Sequence, residues 1–300
     1  MNTLQLTTSI KRELWEYKKI FMWIPLTILL LIVASTLLNY LLNDVASGYW
    51  LVRFERLAEV QDRELIPKIV SGFVTVLSLP FIIIAGVVQL YYFLACLFDE
   101  RRDLSILFWR SLPVSDAMNV GVKLLVGALI LPTIFLAAAT ATIIIFLLFI
   151  FIGCIILSVG YDISLWSLWG NSGIISAIFN TWSSLIPYAL WMFPVYAWLM
   201  LVSIFANKAP FLWAVLPVII ILLIESFFVS YFNVDTRFFA EILKEYFMFS
   251  QDSVKFYLDN NTRISLLSFT GIKDKISVMA LILGAVFMFT ALWLRKNKSH

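Results

Sequence analysis

Residues 124–152 read LLVGALILPTIFLAAATATIIIFLLFIFI, without a single charged side chain. A helix crosses about 30 Å of hydrocarbon with about 20 mostly apolar residues, whereas a core strand runs only 4–8. The stretch is therefore a membrane helix. Strands of a membrane barrel would instead alternate apolar and polar with period two over about ten residues. Residues 141–152 are apolar on every face, which excludes that reading.

Working outward, comparable runs lie at 20–42, 67–98, 179–206, 211–232 and 276–294. Six spans in 300 residues leave too little chain for a separate soluble domain, so the chain reads as one transmembrane domain, 1–300. Composition agrees. Only 14% of residues are charged, where soluble domains average about 25%, and the mean hydropathy is +0.94. The fold class is all-α: a polytopic protein with six transmembrane helices, an N-terminal amphipathic helix and outer interfacial helices before the last span. The first run is too long for a signal-peptide core and ends without a small-x-small site, so it is expected to remain as the first span. Cys96 and Cys154 lie near opposite ends of neighbouring spans and read as small apolar filler rather than a disulfide.

Lysine and arginine set the expected orientation. With a cytoplasmic N-terminus, twelve of the 22 fall on inside segments: Lys11, Arg12, Lys18, Lys19, Arg101, Arg102, Arg110, Lys123, Lys208, Arg295, Lys296 and Lys298. Their density there is about twice that on the opposite side, as the positive-inside rule requires. Both termini are then cytoplasmic, and the expected location is a bacterial inner membrane.

Residues 3–19 carry Leu6, Ile10, Leu14, Tyr17 and Phe21 at helical spacing, with Lys11, Arg12, Lys18 and Lys19 elsewhere. This is either a surface helix suited to anionic lipid headgroups or a cytoplasmic extension of the first span. Residues 49–66 read as a solvated outer helix. Pro80 is expected to kink the second span, and Pro132, Pro187, Pro194 and Pro217 to interrupt the third to fifth. In 233–275, Phe238, Phe239, Ile242, Leu243, Tyr246 and Phe249 mark one outer helix. A second is expected before a turn at Asn260-Asn261.

Signatures of catalysis are absent. The single histidine, His300, excludes zinc triads and Ser-His-Asp sets, and no HExxH, CxxC or phosphate-loop motif occurs. No basic, aromatic-interleaved stripe points to nucleic acid. Any energy source comes from an ion gradient or another chain.

One loop is more informative. Asp99-Glu100-Arg101-Arg102-Asp103 ends the second run, and Ser105-Ile106-Leu107-Phe108-Trp109-Arg110-Ser111-Leu112-Pro113-Val114-Ser115 follows. Ile106, Leu107 and Trp109 form an apolar knob, Pro113 stops it, and Ser115 fits the N-cap of the next helix. Trp and Arg are frequent interface anchors, so the knob suits a groove on a soluble partner better than a bare membrane surface.

These residues, with the layout of connecting helix, six spans and late outer helices, resemble the permeases of ABC exporters of the six-span type-2 (type V fold) class. The resemblance implies that 99–118 is a coupling loop. Asp99, Glu100, Arg101, Arg102 and Asp103 would form its charged helix end, and Ile106, Leu107, Trp109, Arg110, Leu112 and Pro113 the part that enters an ATP-binding subunit. It further implies that ATP and Mg are held by that separate cytoplasmic subunit and not by this chain, and that a second permease subunit pairs with this one. The membrane lipid is the remaining partner. The implied activity is export of an amphipathic or hydrophobic substrate. A secondary transporter driven by an ion gradient, or a non-transporting scaffold or immunity protein, are the alternatives.

Glu225 is the clearest ionisable residue inside a span, between Ile224 and Ser226. A charge near the bilayer centre costs about 2.5–3.5 kcal/mol on insertion scales. It reads either as a contact on a substrate pathway or as a structural carboxyl near the outer interface. Gln89, Ser78 and Thr75 share helical spacing and line the same pathway or bond between helices.

Overall fold

The computed structural model describes residues 3–42, 65–103, 115–161, 172–232, 237–247, 255–259, 262–265 and 275–297, with Trp166, Trp169 and Ile272. The readings of 49–64 and of Ile106, Leu107, Trp109, Arg110, Leu112 and Pro113 fall outside these residues.

Six described helical stretches are long and apolar enough to span a membrane: Lys19–Asn39, Val70–Arg102, Asp116–Gly160, Ile174–Phe205, Pro210–Phe232 and Val278–Asn297. The chain is an all-α, multi-pass membrane protein. Its surface is inverted relative to a soluble protein. Ile83, Val87, Leu148, Leu216, Phe227 and Phe289 lie on the outside, while Glu13, Gln89, Glu100, Lys123 and Arg295 are buried. Only hydrocarbon outside makes that arrangement favourable, because apolar side chains gain nothing from leaving lipid while unsolvated charges need partners.

Helix α1 (Thr3–Glu16) turns its Tyr17-side stripe inward, and a single π-helical turn at Lys19–Trp23 joins it to α2 (Ile24–Leu42). The segment is docked on the bundle and almost continuous with the first span, as the extension reading expects. Its opposite stripe, Leu4, Lys11, Trp15, Lys18 and Met22, is exposed. Helix α3 (Leu65–Ala95) is followed by the short α4 (Phe98–Arg102), and α5 (Asp116–Leu125) opens the third span. The Ser115 hydroxyl accepts from Met118 N at 3.2 Å, the expected N-cap. A second π-turn, Val126–Ile130, separates α5 from α6 (Leu131–Gly160). The fourth span breaks at Ser184 into α7 (Ile174–Ser183) and α8 (Leu185–Phe205). Helix α9 (Pro210–Phe232) is the fifth span and α11 (Val278–Asn297) the sixth.

Two expectations are corrected. Pro194 and Pro217 lie inside unbroken helices and do not interrupt them, and the helix around Pro80 is likewise continuous, which a kink allows. The third and fourth spans change geometry just before Pro132 and Pro187, the first opens on the Lys19–Trp23 π-turn, and the second breaks between Ala95 and Phe98. A helix lacking one N–H can continue where neighbouring helices hold it. In the outer segment, α10 (Phe238–Phe247) forms, but the second helix is replaced by a hairpin of β1 (Lys255–Asp259) and β2 (Thr262–Ser265). The strands are antiparallel, with Phe256 opposite Ile264 and Tyr257 opposite Arg263. Aromatic and β-branched residues there favour strand over helix.

The core gathers where α1, the second span and α8 meet. Tyr92 and Phe93 lie at its centre, Tyr17 edge-on to Tyr92 at 5.0 Å and Tyr196 stacked on Phe93 at 4.4 Å. Gly127, in the second π-turn, is what lets these rings close. A Cβ there would fall 2.5 Å from Phe93 Cζ. Cys96 and Cys154 are both buried free thiols.

Candidate functional site at the charged end of the bundle

Beside that core, six charged side chains from four elements converge. Glu13 comes from α1, Glu100 from α4, Asp116 and Lys123 from α5, and Arg295 from α11. Arg12 reaches in from the edge of α1. The Lys123 ammonium, fully buried, donates to Glu13 Oε1 at 2.8 Å and lies 3.3 Å from Glu100 Oε1. Arg12 Nη2 donates to Glu13 Oε1 at 2.8 Å and to Asn119 Oδ1 at 2.9 Å. The Tyr92 hydroxyl donates to Glu13 Oε2 at 3.2 Å. Asn119 Nδ2 donates to Glu100 at 3.3 Å. Arg295 donates from Nη2 to Glu100 Oε2 and from Nε to Asp116 Oδ1, each at 3.0 Å.

Three carboxylates thus face three cations, and the cluster is neutral as a whole. That balance is what makes its burial tolerable, since an unpaired buried ion costs several kcal/mol. The same surroundings push the buried Tyr17 phenol far above its ordinary range. Desolvation dominates that shift, and the ring stays neutral at any physiological pH.

A second set of contacts ties the end of the second span to the fourth. The Ser203 hydroxyl donates to Leu94 O at 2.8 Å and accepts from Phe98 N at 2.8 Å. Arg101 Nη2 donates to the carbonyls of Ser203 and Ala206, satisfying the C-terminal carbonyls of α8. All these groups, with both described chain ends, lie at one end of the bundle.

The five charged residues of the loop therefore divide. Glu100 and Arg101 turn inward and hold neighbouring helices, whereas Arg102 and Asp103 are exposed and pair with each other at 3.0 Å. Asp99, partly exposed, pairs with Arg102 at 3.2 Å. Of these five, Asp99, Arg102 and Asp103 keep at least partly exposed charge.

The proposed pathway residues do not form one site. The Gln89 amide donates to Gly127 O at 2.9 Å and accepts from the Tyr188 hydroxyl at 3.0 Å, so it bonds between helices. It borders a cavity of about 40 Å³ between the second, third and fourth spans. Ser78 borders a smaller one of about 10 Å³, and its hydroxyl is spent on Val74 O. One water needs about 10–15 Å³, so neither cavity holds a cargo molecule. Thr75 donates to Ser71 O within its own helix. Glu225 lines neither cavity. Its carboxylate accepts from the backbone N–H groups of Phe239 and Ala240, and so anchors the first turn of α10 on the fifth span.

Glu13, Asn119, Asp116, Lys123 and Arg295 were not singled out from sequence. A signal was present for two of them. Glu13 interrupts the apolar stripe of α1 between Ile10 and Tyr17, and Lys123 sits between Val122 and Leu124. A charge on a buried stripe implies an opposite charge elsewhere, but the sequence does not say which. Comparison with known protein families, with curated proteins and with solved structures finds no match to this chain.

Proposed function

We propose that this chain is the membrane subunit of an ATP-driven exporter, a permease that pairs with a second permease subunit. Both termini and the 103–115 connection face the cytoplasm of a bacterial inner membrane. A separate ABC-type subunit holds ATP and Mg and docks on that connection. Its closure pushes on the connection, and the spans rearrange to move an amphipathic or hydrophobic substrate out of the cytoplasm or inner leaflet.

The observation that carries this reading is the bracing of the connection's base. Glu100 and Asp116 flank it, and both are locked into a buried neutral cluster with α1 and the last span. A flank that served only to stop translocation needs no such anchoring. A base fixed to several helices is what a loop that receives force requires. The secondary-transporter alternative is weakened by the same cluster, because each buried carboxylate in it is matched by a cation and is poorly suited to carry protons or sodium.

The test is purification of the native complex followed by mass spectrometry and an ATPase assay. A nucleotide-hydrolysing partner is expected. Trp109→Ala should reduce its recovery to under one tenth, and Arg102→Glu should weaken it through an exposed charge. Arg101→Glu is a poorer probe, because Arg101 also holds the end of α8. Purification of the folded chain without any such partner, or full partner recovery with Trp109→Ala, overturns the proposal.

A further inference from the structure

Asn119 and Lys123 on the outgoing root of the 103–115 connection meet Glu100 on the incoming root directly, and one further side chain ties both roots to the last span. Arg295, almost fully buried near the end of the last span, directs Nη2 to Glu100 on the incoming root and Nε to Asp116 on the outgoing root. The two acceptors belong to different helices, α4 and α5, and both contacts are 3.0 Å. A guanidinium presents its donors in a rigid planar fork, so two carboxylates bound to one guanidinium have a fixed separation. A lysine ammonium at this position supplies the charge without that geometry.

We propose that Arg295 is a positioning residue: it fastens the last span to both roots, which Asn119 and Lys123 already join to each other, and makes that span move with them. The onward path is specific. The last span packs along its length against α8, and α8 is also gripped near its end by Arg101 and, through its own Ser203 hydroxyl, by Leu94 and Phe98. Displacement of the roots is therefore delivered to the sixth and fourth spans together. The fifth span has no described contact with the charged cluster and is not drawn directly. This inference concerns the chain by itself and holds whatever docks on the connection.

The experiment uses the full chain in lipid nanodiscs, in a background where Cys96 and Cys154 are alanine. Spin labels are placed on exposed positions of the two roots and the last span, as the pairs Asp103→Cys with Ala117→Cys, Asp103→Cys with Asn297→Cys, and Ala117→Cys with Asn297→Cys. Pulsed electron resonance reads each distance distribution. With Arg295 present, all three are expected to be narrow. Arg295→Lys should broaden the distances from 103 to 297 and from 117 to 297 while the unfolding temperature stays near that of the parent. Arg295→Met should broaden both further and leave the root-to-root distance narrow, because Asn119 and Lys123 still meet Glu100. Asp116→Ala, at a partly exposed position that folding tolerates, releases one arm only. It should broaden the distance from 117 to 297 and leave the distance from 103 to 297 unchanged. Narrow, unshifted distributions in folded Arg295→Lys and Asp116→Ala samples overturn the proposal, as does equal broadening of both arms in Asp116→Ala. The nucleotide-partner experiment above has a separate readout, so failure of one does not imply failure of the other.

Discussion

Replacing Lys123 with methionine keeps most of the side-chain volume and removes one charge from a site with no solvent access. Lys123 is fully buried, with its ammonium 2.8 Å from Glu13 and 3.3 Å from Glu100. Without it, Glu13, Glu100 and Asp116 face only Arg12 and Arg295, and one buried negative charge is uncompensated. Breaking a buried pair in this way costs about 3–5 kcal/mol. A second route gives a similar figure. The cheapest relief is for one carboxylate to take a proton, and moving an ordinary glutamate from about 4.3 to pH 7 at 1.36 kcal/mol per unit costs about 3.7 kcal/mol. That route also fixes the sign of the pH dependence. Protonation becomes easier as pH falls, so the defect shrinks to about 1 kcal/mol at pH 5. Adding Glu13→Gln restores neutrality and should recover most of the loss. The assay is reversible unfolding of the chain in detergent micelles, followed by tryptophan fluorescence at pH 5 and pH 7. A loss below about 1 kcal/mol at pH 7, a loss that grows on acidification, or a double variant worse than the single would refute the charge-balance argument.

Two further outcomes follow from close packing and from capping. Gly127→Ala places a Cβ 2.5 Å from Phe93 Cζ and should cost about 1–3 kcal/mol by the same unfolding assay. Gly121→Ala meets nothing within 4 Å and should be neutral or stabilising by about 1 kcal/mol, since alanine favours the helix. Glu225→Ala removes the acceptor for the first turn of α10. It should speed amide hydrogen exchange across Phe239–Glu245 while leaving α5 and α11 unchanged, whereas a purely substrate-contacting role predicts no change in exchange there.

Much of the architecture was legible because the bilayer imposes a simple length rule. Each apolar run became a span, and the stripe Ile10, Leu14, Tyr17 and Phe21 was read correctly as one face of a helix. Ser115 was legible as a cap because capping is local. The charged cluster was not. Asp99 to Asp103 looks the same whether all five charges are solvated or two are buried, and the partners that decide this are remote. Arg295 lies 195 residues from Glu100, and Lys123 lies 110 from Glu13. Helical spacing in the outer segment held for α10 and then misled. From Lys255 onward the aromatic and β-branched content favours a hairpin, a competition that periodicity alone does not settle.

A lipid-embedded bundle has little use for the hydrophobic effect in choosing which helices touch, because hydrocarbon is as apolar as leucine. What distinguishes one arrangement of six oily helices from another is shape and polar pairing. Among the described residues of this chain, the ionic pairing gathers at one end. Gly127 admits Tyr92 and Phe93, Ser203 fastens the second span to the fourth, and the neutral cluster fixes α1, α4, α5 and α11 in register. An all-apolar replacement of the cluster could match its stability, since buried ion pairs offset their desolvation cost only narrowly. It would not match its selectivity: each carboxylate accepts only a cation at the correct height on the correct helix. The opposite end is held by other described contacts, among them Tyr246 of α10, which donates to Trp191 O and stacks on its ring. The fifth span is exposed over nearly all its length and is tied there through Glu225 to α10. Among the described residues, ionic pairing thus fixes one end in register, while ring stacking and backbone hydrogen bonds hold α10 against the fourth and fifth spans at the other.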